Sequence, residues 1–233
     1  MKKIISLVLV AVLICFCLAS CGEKGSNYTS KLTEYDNQTT QAPSTEYHSV
    51  EFESNGSGTF PKVKITVKDY GEINLTLNDE QAPITVANFV KLVKEGFYDG
   101  LTFHRIIQGF MIQGGDPLGN GTGGSDEEIK GEFAANGVAN NISHKRGVIS
   151  MARSGTDSDD PEIIEACNNS ASSQFFICDA DSIFLDGEYA AFGVVTSGMD
   201  VVDKIAADAI PADGNGTILA SDQPVIEKIE IVE

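Results

Sequence analysis

After Pro61 the chain alternates, with Val63, Ile65 and Val67 apolar and Lys64, Thr66 and Lys68 polar between and after them. Beyond Asp69-Tyr70-Gly71-Glu72 the alternation resumes at Ile73, Leu75 and Leu77. A period of two puts one set of side chains on one face, so this stretch predicts two strands joined by a tight turn. From Pro83 the period changes: Val86, Phe89, Val90 and Val93 recur at helical spacing, with Gly96 where a helix should stop. Short strands are predicted over 101–107, 110–113, 148–152, 174–178, 190–195 and 225–232. A second helix over 199–206 would gather Met199, Val202, Ile205 and Ala206 on one side. Many short strands broken by Gly, Asp and Asn turns, with two helices, predict an all-β fold: a closed antiparallel barrel of eight strands capped by those helices.

The N-terminus has a different character. Lys2 and Lys3 precede an apolar run from Ile4 to Ala19 broken only by Ser6, as in an export signal over 1–20. The run is short for a spanning helix, which needs ~20 apolar residues. Leu18-Ala19-Ser20-Cys21 resembles the lipobox of bacterial lipoproteins, whose cysteine is lipidated and becomes the mature N-terminus. A plain secretion signal and an uncleaved anchor are the competing readings. A diacylglycerol on Cys21 would supply the two chains that stable anchoring needs. Residues 21–59, rich in Ser, Thr, Asn, Gln and Glu without periodicity, read as a flexible stalk with a root-mean-square reach of roughly 35 Å. The folded domain is expected over 60–233, at the extracytoplasmic face of the cell membrane.

Composition narrows the partners. A hydrophobic content of 42% suits one core, and a formal charge of -18 argues against nucleic acid, whose phosphates need clustered Lys and Arg. The same charge repels anionic lipid, leaving the covalent lipid as the membrane contact. Cys15 and Cys17 would leave with the signal. Cys167 and Cys178 remain, either paired or as separate thiols, since spacing does not decide it.

Several kinds of chemistry can be set aside. Gly119-Asn120-Gly121-Thr122-Gly123-Gly124 has dinucleotide-turn spacing but no surrounding strand-helix-strand alternation, and reads as a glycine loop. His48, His104 and His144 have no metal-ligand spacing, and an EF-hand reading of Asp179, Asp181 and Asp186 fails because Phe184 stands where glycine belongs. No metal and no cofactor is expected. There is no Gly-x-Ser-x-Gly elbow, although scattered Ser, His and Asp leave a hydrolase triad open. The acidic stretch 154–172, with a possible helical turn over 162–166, reads as a solvated loop; a calcium site or docking loop is the sharper alternative.

The most informative run is Phe103-His104-Arg105-Ile106-Ile107-Gln108-Gly109-Phe110-Met111-Ile112-Gln113-Gly114-Gly115-Asp116, which sets an arginine and a glutamine among large apolar residues. Its companions are Met151-Ala152-Arg153-Ser154, Ser173-Gln174-Phe175-Phe176-Ile177, Phe184-Leu185-Asp186-Gly187-Glu188-Tyr189 and Phe192-Gly193. With these motifs in this order, residues 62–232 resemble the cyclophilins, the barrel-fold peptidyl-prolyl isomerases. With signal and stalk added, the whole resembles their bacterial lipoprotein form. The resemblance implies that Arg105 is the main catalytic group and that Gln113 orients it. Phe110, Met111, Phe176 and Leu185 would form the proline pocket, and Ala152 and Arg153 the strand along which substrate backbone lies. Many members have asparagine in place of Arg153, which puts that side chain's role in question. Gln174 would be a further polar group of the groove, with Gly121 and Thr122 bordering a second pocket for residues before proline. Phe184 and Tyr189 stand where many eukaryotic members have tryptophan and histidine, keeping an aromatic wall while weakening the grip expected on the cyclic peptide cyclosporin. His104 is assigned to structure.

The chemistry implied makes no covalent bond. The barrier to peptide rotation, ~18–20 kcal/mol, comes from conjugation of nitrogen and carbonyl. At mid-twist the conjugation is lost and the proline nitrogen accepts a hydrogen bond, so a fixed guanidinium stabilises that state more than either planar isomer. The partners implied are proline-containing segments of unfolded or folding proteins, bound by a monomer. The alternative is a chaperone-like module that binds such segments without turnover.

Overall fold

The computed structural model describes residues 52, 54 and 56–232; Cys21, the export signal and most of the stalk lie outside the described residues. The elements run β1 (Lys62–Val67), β2 (Gly71–Leu77), α1 (Pro83–Lys94), β3 (Phe103–Ile107), β4 (Met111–Gly114), β5 (Val148–Met151), α2 (Pro161–Asn168), β6 (Phe175–Cys178), β7 (Ala191–Ser197), α3 (Met199–Asp208) and β8 (Ile226–Val232). The alternation after Pro61 does what period two requires: Val63, Ile65 and Val67 are buried, and β1 pairs antiparallel with β2. Their turn passes through Asp69 at φ 64, a left-handed conformation that aspartate tolerates better than most side chains.

The barrel is not closed. Hydrogen-bonded neighbours run β3-β4-β6-β5-β7-β2-β1-β8, an antiparallel sheet curled into a half-barrel whose edge strands, β3 and β8, do not pair. The expectation of full closure fails because the outer edge of β3 is already occupied. Ile106 donates to the Gly216 carbonyl at 2.8 Å and Ile218 to that of His104 at 2.9 Å, so the 216–218 segment takes the place a closing strand would need. The first residue of each strand instead bonds to the segment leading into the other, Phe103 N donating to Pro224 O at 2.9 Å and Ile226 N to Leu101 O at 2.8 Å.

Two helices were expected and three are present. The third, α2, lies in the acidic insert: Pro161 occupies the first turn and the Asp160 carboxylate accepts from Glu162 N at 3.0 Å. It presents Ile163 and Ile164 to the surface rather than to the core. With only eight residues, α2 is too short for the spacing of Ile163, Ile164 and Cys167 to stand out from a loop, which is why only a single turn is legible.

The core lies between the sheet and the other two helices. α1 buries Phe89 against Tyr98, Phe175 and Phe192, with ring centroids 5.1, 5.6 and 5.2 Å away. α3 buries Met199, Val202, Ile205 and Ala206. No side chain of α1 caps its own N-terminus. Glu132 does so from a distant loop, accepting from Ile84 N at 3.0 Å, Thr85 N at 2.7 Å and Thr85 Oγ1 at 2.7 Å while itself buried. Donors that α1 cannot satisfy internally thus meet a carboxylate at the positive end of the helix dipole.

Cys167 and Cys178 are both free, and burial pushes the Cys178 thiol up to about 12. Before Pro61, Ser54, Ser57 and Gly58 donate to Glu80, and Thr59 to Asp79. These bonds draw the last residues assigned to the stalk onto the domain.

Replacing Glu132 by alanine leaves the first amides of α1 without their acceptor in a buried place. A loss of about 2–3 kcal/mol is expected, read as a lower urea midpoint. An unchanged midpoint would show that α1 does not depend on this carboxylate.

Candidate active site

The site is assembled by register. Arg105 on β3 faces Gln113 on β4, and Gln113 faces Phe176 on β6, so three strands deliver a row of side chains to one face. The next row on that face is Ile107, Met111 and Cys178. Between Phe103 and Arg105 the β3 register shifts by one residue, making His104 a bulge. The bulge lets Phe103 and Ile106 both enter the main core while Arg105 and Ile107 face outward.

Arg105 is held from several directions. Its Nε donates to the Asn215 carbonyl at 2.7 Å, and its Nη1 to Gln113 Oε1 at 3.3 Å and Met111 Sδ at 3.6 Å. The guanidinium carbon lies 5.9 Å from the centre of the Phe110 ring. Gln113 Nε2 donates to Gln174 Oε1 at 2.9 Å, and Gln174 Nε2 to Gly123 O at 2.7 Å. A relay of oriented amides therefore fixes the cation. Burial lowers its pKa, yet a guanidinium stays charged at neutral pH.

Beside this relay lies a groove of about 320 Å³ lined by Arg105, Phe110, Met111, Gln113, Phe176 and Leu185 and closed by Gly121, Ala152, Arg153 and Tyr189. Met111, Phe176 and Leu185 form an apolar cluster separate from the main core. Tyr189 meets Phe176 edge-on at 5.8 Å. A second depression, also of about 320 Å³, adjoins it and is lined by Gly121, Thr122, Gln174 and polar neighbours.

Phe184 and Arg153 contribute in distinct ways. Phe184 is not in the lining of the groove; it is 70% exposed on the rim, its ring 5.5 Å from that of Phe110. The side chain of Arg153 is tied back, its guanidinium carbon 5.1 Å from the Phe133 ring and 4.9 Å from that of Tyr189, with Nε donating to Glu188 O at 3.0 Å. It braces the aromatic wall.

Other contributors were not legible in the sequence. Asn120, Thr217 and His104 line the groove, and Asn215 anchors Arg105. Asn215 and Thr217 sit in a turn pinned by Asp213, whose Oδ1 accepts from both amides at 2.9 and 3.0 Å. Gly216 there has φ +83, and a Cβ on it would come within 2.7 Å of the Ile106 carbonyl. Nothing in the local sequence couples that turn to Arg105, 110 residues earlier. Neither ring nitrogen of the buried His104 has a protein hydrogen-bond partner.

A Ser-His-Asp arrangement does exist, with Asp186 Oδ1 2.9 Å from His144 Nδ1 and His144 Nε2 3.0 Å from Ser150 Oγ. It is not a nucleophilic site. Ser150 and His144 are fully buried, and His144 stacks behind Phe176 with ring centroids 6.1 Å apart. No carbonyl can reach Oγ, so the three residues brace the pocket floor. Among the described residues no cluster of side chains could hold a metal ion.

A cation poised beside an apolar pocket, without an accessible nucleophile, matches what comparison with known proteins finds. Residues 62–233 match the model of the cyclophilin type peptidyl-prolyl cis-trans isomerase family. The chain is 49% identical over 137 residues to a peptidyl-prolyl cis-trans isomerase of Helicobacter pylori, covering 58% of this chain and 74% of that one. It is 45% identical over 140 residues to peptidyl-prolyl cis-trans isomerase B of Bacillus subtilis, covering 60% and 87%. A solved Cryptosporidium parvum cyclophilin type isomerase superposes with TM-score 0.62 at 30% identity, over 75% of this chain and 98% of that one. The same protein solved in the presence of the dipeptide Ala-Pro gives TM-score 0.60 at 30% identity, over 74% and 99%. The chain belongs to the cyclophilin-type peptidyl-prolyl cis-trans isomerases.

The buried histidines define a pH test. Burial lowers the pKa of His104 and His144 below the ordinary 6.5, with Asp116 and Asp186 opposing, so both are neutral near pH 7. Unfolded histidines take up protons as pH falls through about 6.5 and these folded ones do not. Their stabilising contribution is thus complete above that pH and declines below it, until the lowered folded values are passed. Denaturation midpoints should fall below pH 6.5 while kcat/KM of the folded enzyme stays flat from pH 8 to about 6. A steep kinetic loss toward low pH in the still-folded protein would show that the neutral imidazole of His104 is needed as a proton acceptor.

Proposed function

We propose that this enzyme accelerates X-Pro rotation in proteins folding outside the cytoplasm, by donating a hydrogen bond from Arg105 to the proline nitrogen of the twisted amide. The observation that carries this reading is the anchoring of Arg105 by Asn215 and Gln113 at the mouth of the Met111, Phe176 and Leu185 pocket. A cation fixed before substrate arrives does not reorganise as the amide twists, so its donor is worth more to the transition state than a mobile one. The proline ring would seat against Phe110, Met111, Phe176 and Leu185. The Ala-Pro dipeptide used with the Cryptosporidium relative supports a proline-containing ligand here.

Gln113 acts on Arg105 and on the substrate backbone, and the relay through Gln174 to Gly123 ties both to the second depression. Residues before proline would lie there, along Gly121, Thr122 and the Ala152 strand. The uncatalysed step takes tens to hundreds of seconds, slow enough to limit folding. An enzyme held at the membrane by a lipid on Cys21 would meet clients as they emerge. The domain would work there as a monomer, since the groove is complete within one chain.

With a proline tetrapeptide as substrate, Arg105→Ala should lower kcat/KM by about 10²–10³, the cost typical of losing one fixed transition-state donor. Arg105→Lys should recover little, because a flexible ammonium cannot reproduce the fork held by Asn215 and Gln113. Equal rates in native and Arg105→Ala protein would overturn the assignment. For the anchor, Cys21→Ser should move the protein from the membrane fraction to the soluble fraction; retention at the membrane would remove the lipid from the account.

A further inference from the structure

A depression of about 510 Å³ adjoins the proline groove on the far side of Arg153, Leu185 and Tyr189, which line both. One bank carries Phe184 and the other, contributed by the acidic insert, carries Asp157 and Ile164. Phe184 is 70% exposed and Ile164 38%, so two large apolar side chains from separate elements border one space. Asp157 has no hydrogen bond or ion pair among the described residues. Between 154 and 173 the chain holds Asp157, Asp159, Asp160, Glu162 and Glu165 and no lysine or arginine. The positive charge in the wall, Arg153, is already engaged by Glu188, whose Oε2 lies 3.6 Å from its Nη2, and by the Ser154 carbonyl at 2.9 Å.

We propose that this depression is a subsite for a lysine or arginine side chain flanking the substrate proline. The proposal rests on the isomerase reading, which supplies the proline. A space of mixed lining, with Ile164, Phe184 and Leu185 among polar residues and an unpaired carboxylate at Asp157, suits a side chain with a long aliphatic stem and a charged end. The stem lies against Ile164 and Phe184, and the cation meets Asp157 within the field of the insert. A neutral aliphatic chain would keep only the first contact, and an acidic one would meet repulsion. The insert is thereby a selectivity element: it adds a bank to the groove and biases the enzyme toward basic clients.

The test uses peptides carrying lysine, norleucine, glutamate or alanine at each position flanking the proline, assayed for isomerisation and titrated for binding by fluorescence anisotropy. At one position lysine should exceed norleucine by about two- to fivefold, the range of a single exposed ion pair, and glutamate should be the poorest. The lysine-to-norleucine ratio should fall toward one in Asp157→Asn and at high salt. In Ile164→Ser, lysine and norleucine should lose ground together against alanine. No lysine preference at any position, or a preference unchanged in Asp157→Asn, overturns the subsite. Preserved preference in binding with no acceleration of any peptide overturns only the isomerase reading.

Discussion

Two short strands, β4 and β6, are covered on both faces, and the positions of core and groove alike follow from that. Ile112, Phe175 and Ile177 enter the main core, while Met111, Phe176 and Cys178 form the cluster beneath the groove. A slip of one residue would exchange the two sets and carry Gln113 into the core. The register is held by aromatic packing: the Phe175 ring meets those of Phe89, Tyr98 and Phe103 at 5.6, 5.6 and 6.1 Å. Packing on one face thus positions chemistry on the other.

The chemistry then needs a cation that is only partly wet. Arg105 stands between the polar relay and the apolar cluster, and each hydrogen bond it makes fixes a degree of freedom that a surface arginine would keep. The Asn215 carbonyl comes from the same 213–217 turn whose Gly216 pairs with β3 and keeps the sheet from closing. The open edge and the anchored guanidinium are therefore one structural device. Behind Phe176, His144 and Ser150 show that a triad-like set of distances is not a catalytic site when every member that must touch substrate is buried.

Most elements were legible because their patterns are local. The alternation of β1 and β2, the face of α1 and that of α3 each repeat within one segment, so burial of one face leaves its mark on the sequence. α2 left only the mark of a single turn, since it is eight residues long. The bulge at His104 was also hidden: it breaks alternation at a single residue, and only the pairing of Arg105 with Gln113 reveals which residue is extra. Of the site residues, Arg105, Phe110, Met111 and Gln113 came from one run and were recognised together. Phe184, expected in the aromatic wall, borders the depression beside the groove together with Leu185 and Tyr189. Arg153 was in question and proves to be a brace for Tyr189, held there by two aromatic rings and Glu188.

By itself the sequence determined the eight strands and the helices α1 and α3, which face of each is apolar, and that the motif-bearing segments belong to one family of isomerases. Those properties depend on side-chain periodicity and on residue identity at short range. The tertiary structure decided what depends on pairs far apart in the chain: the open edge between β3 and β8, the Asn215 anchor on Arg105, the Glu132 cap on α1, and the depression between Phe184 and Ile164. Each is a contact between segments whose spacing carries no signal, because loop closure costs little more for a long loop than for a short one and leaves the local pattern untouched.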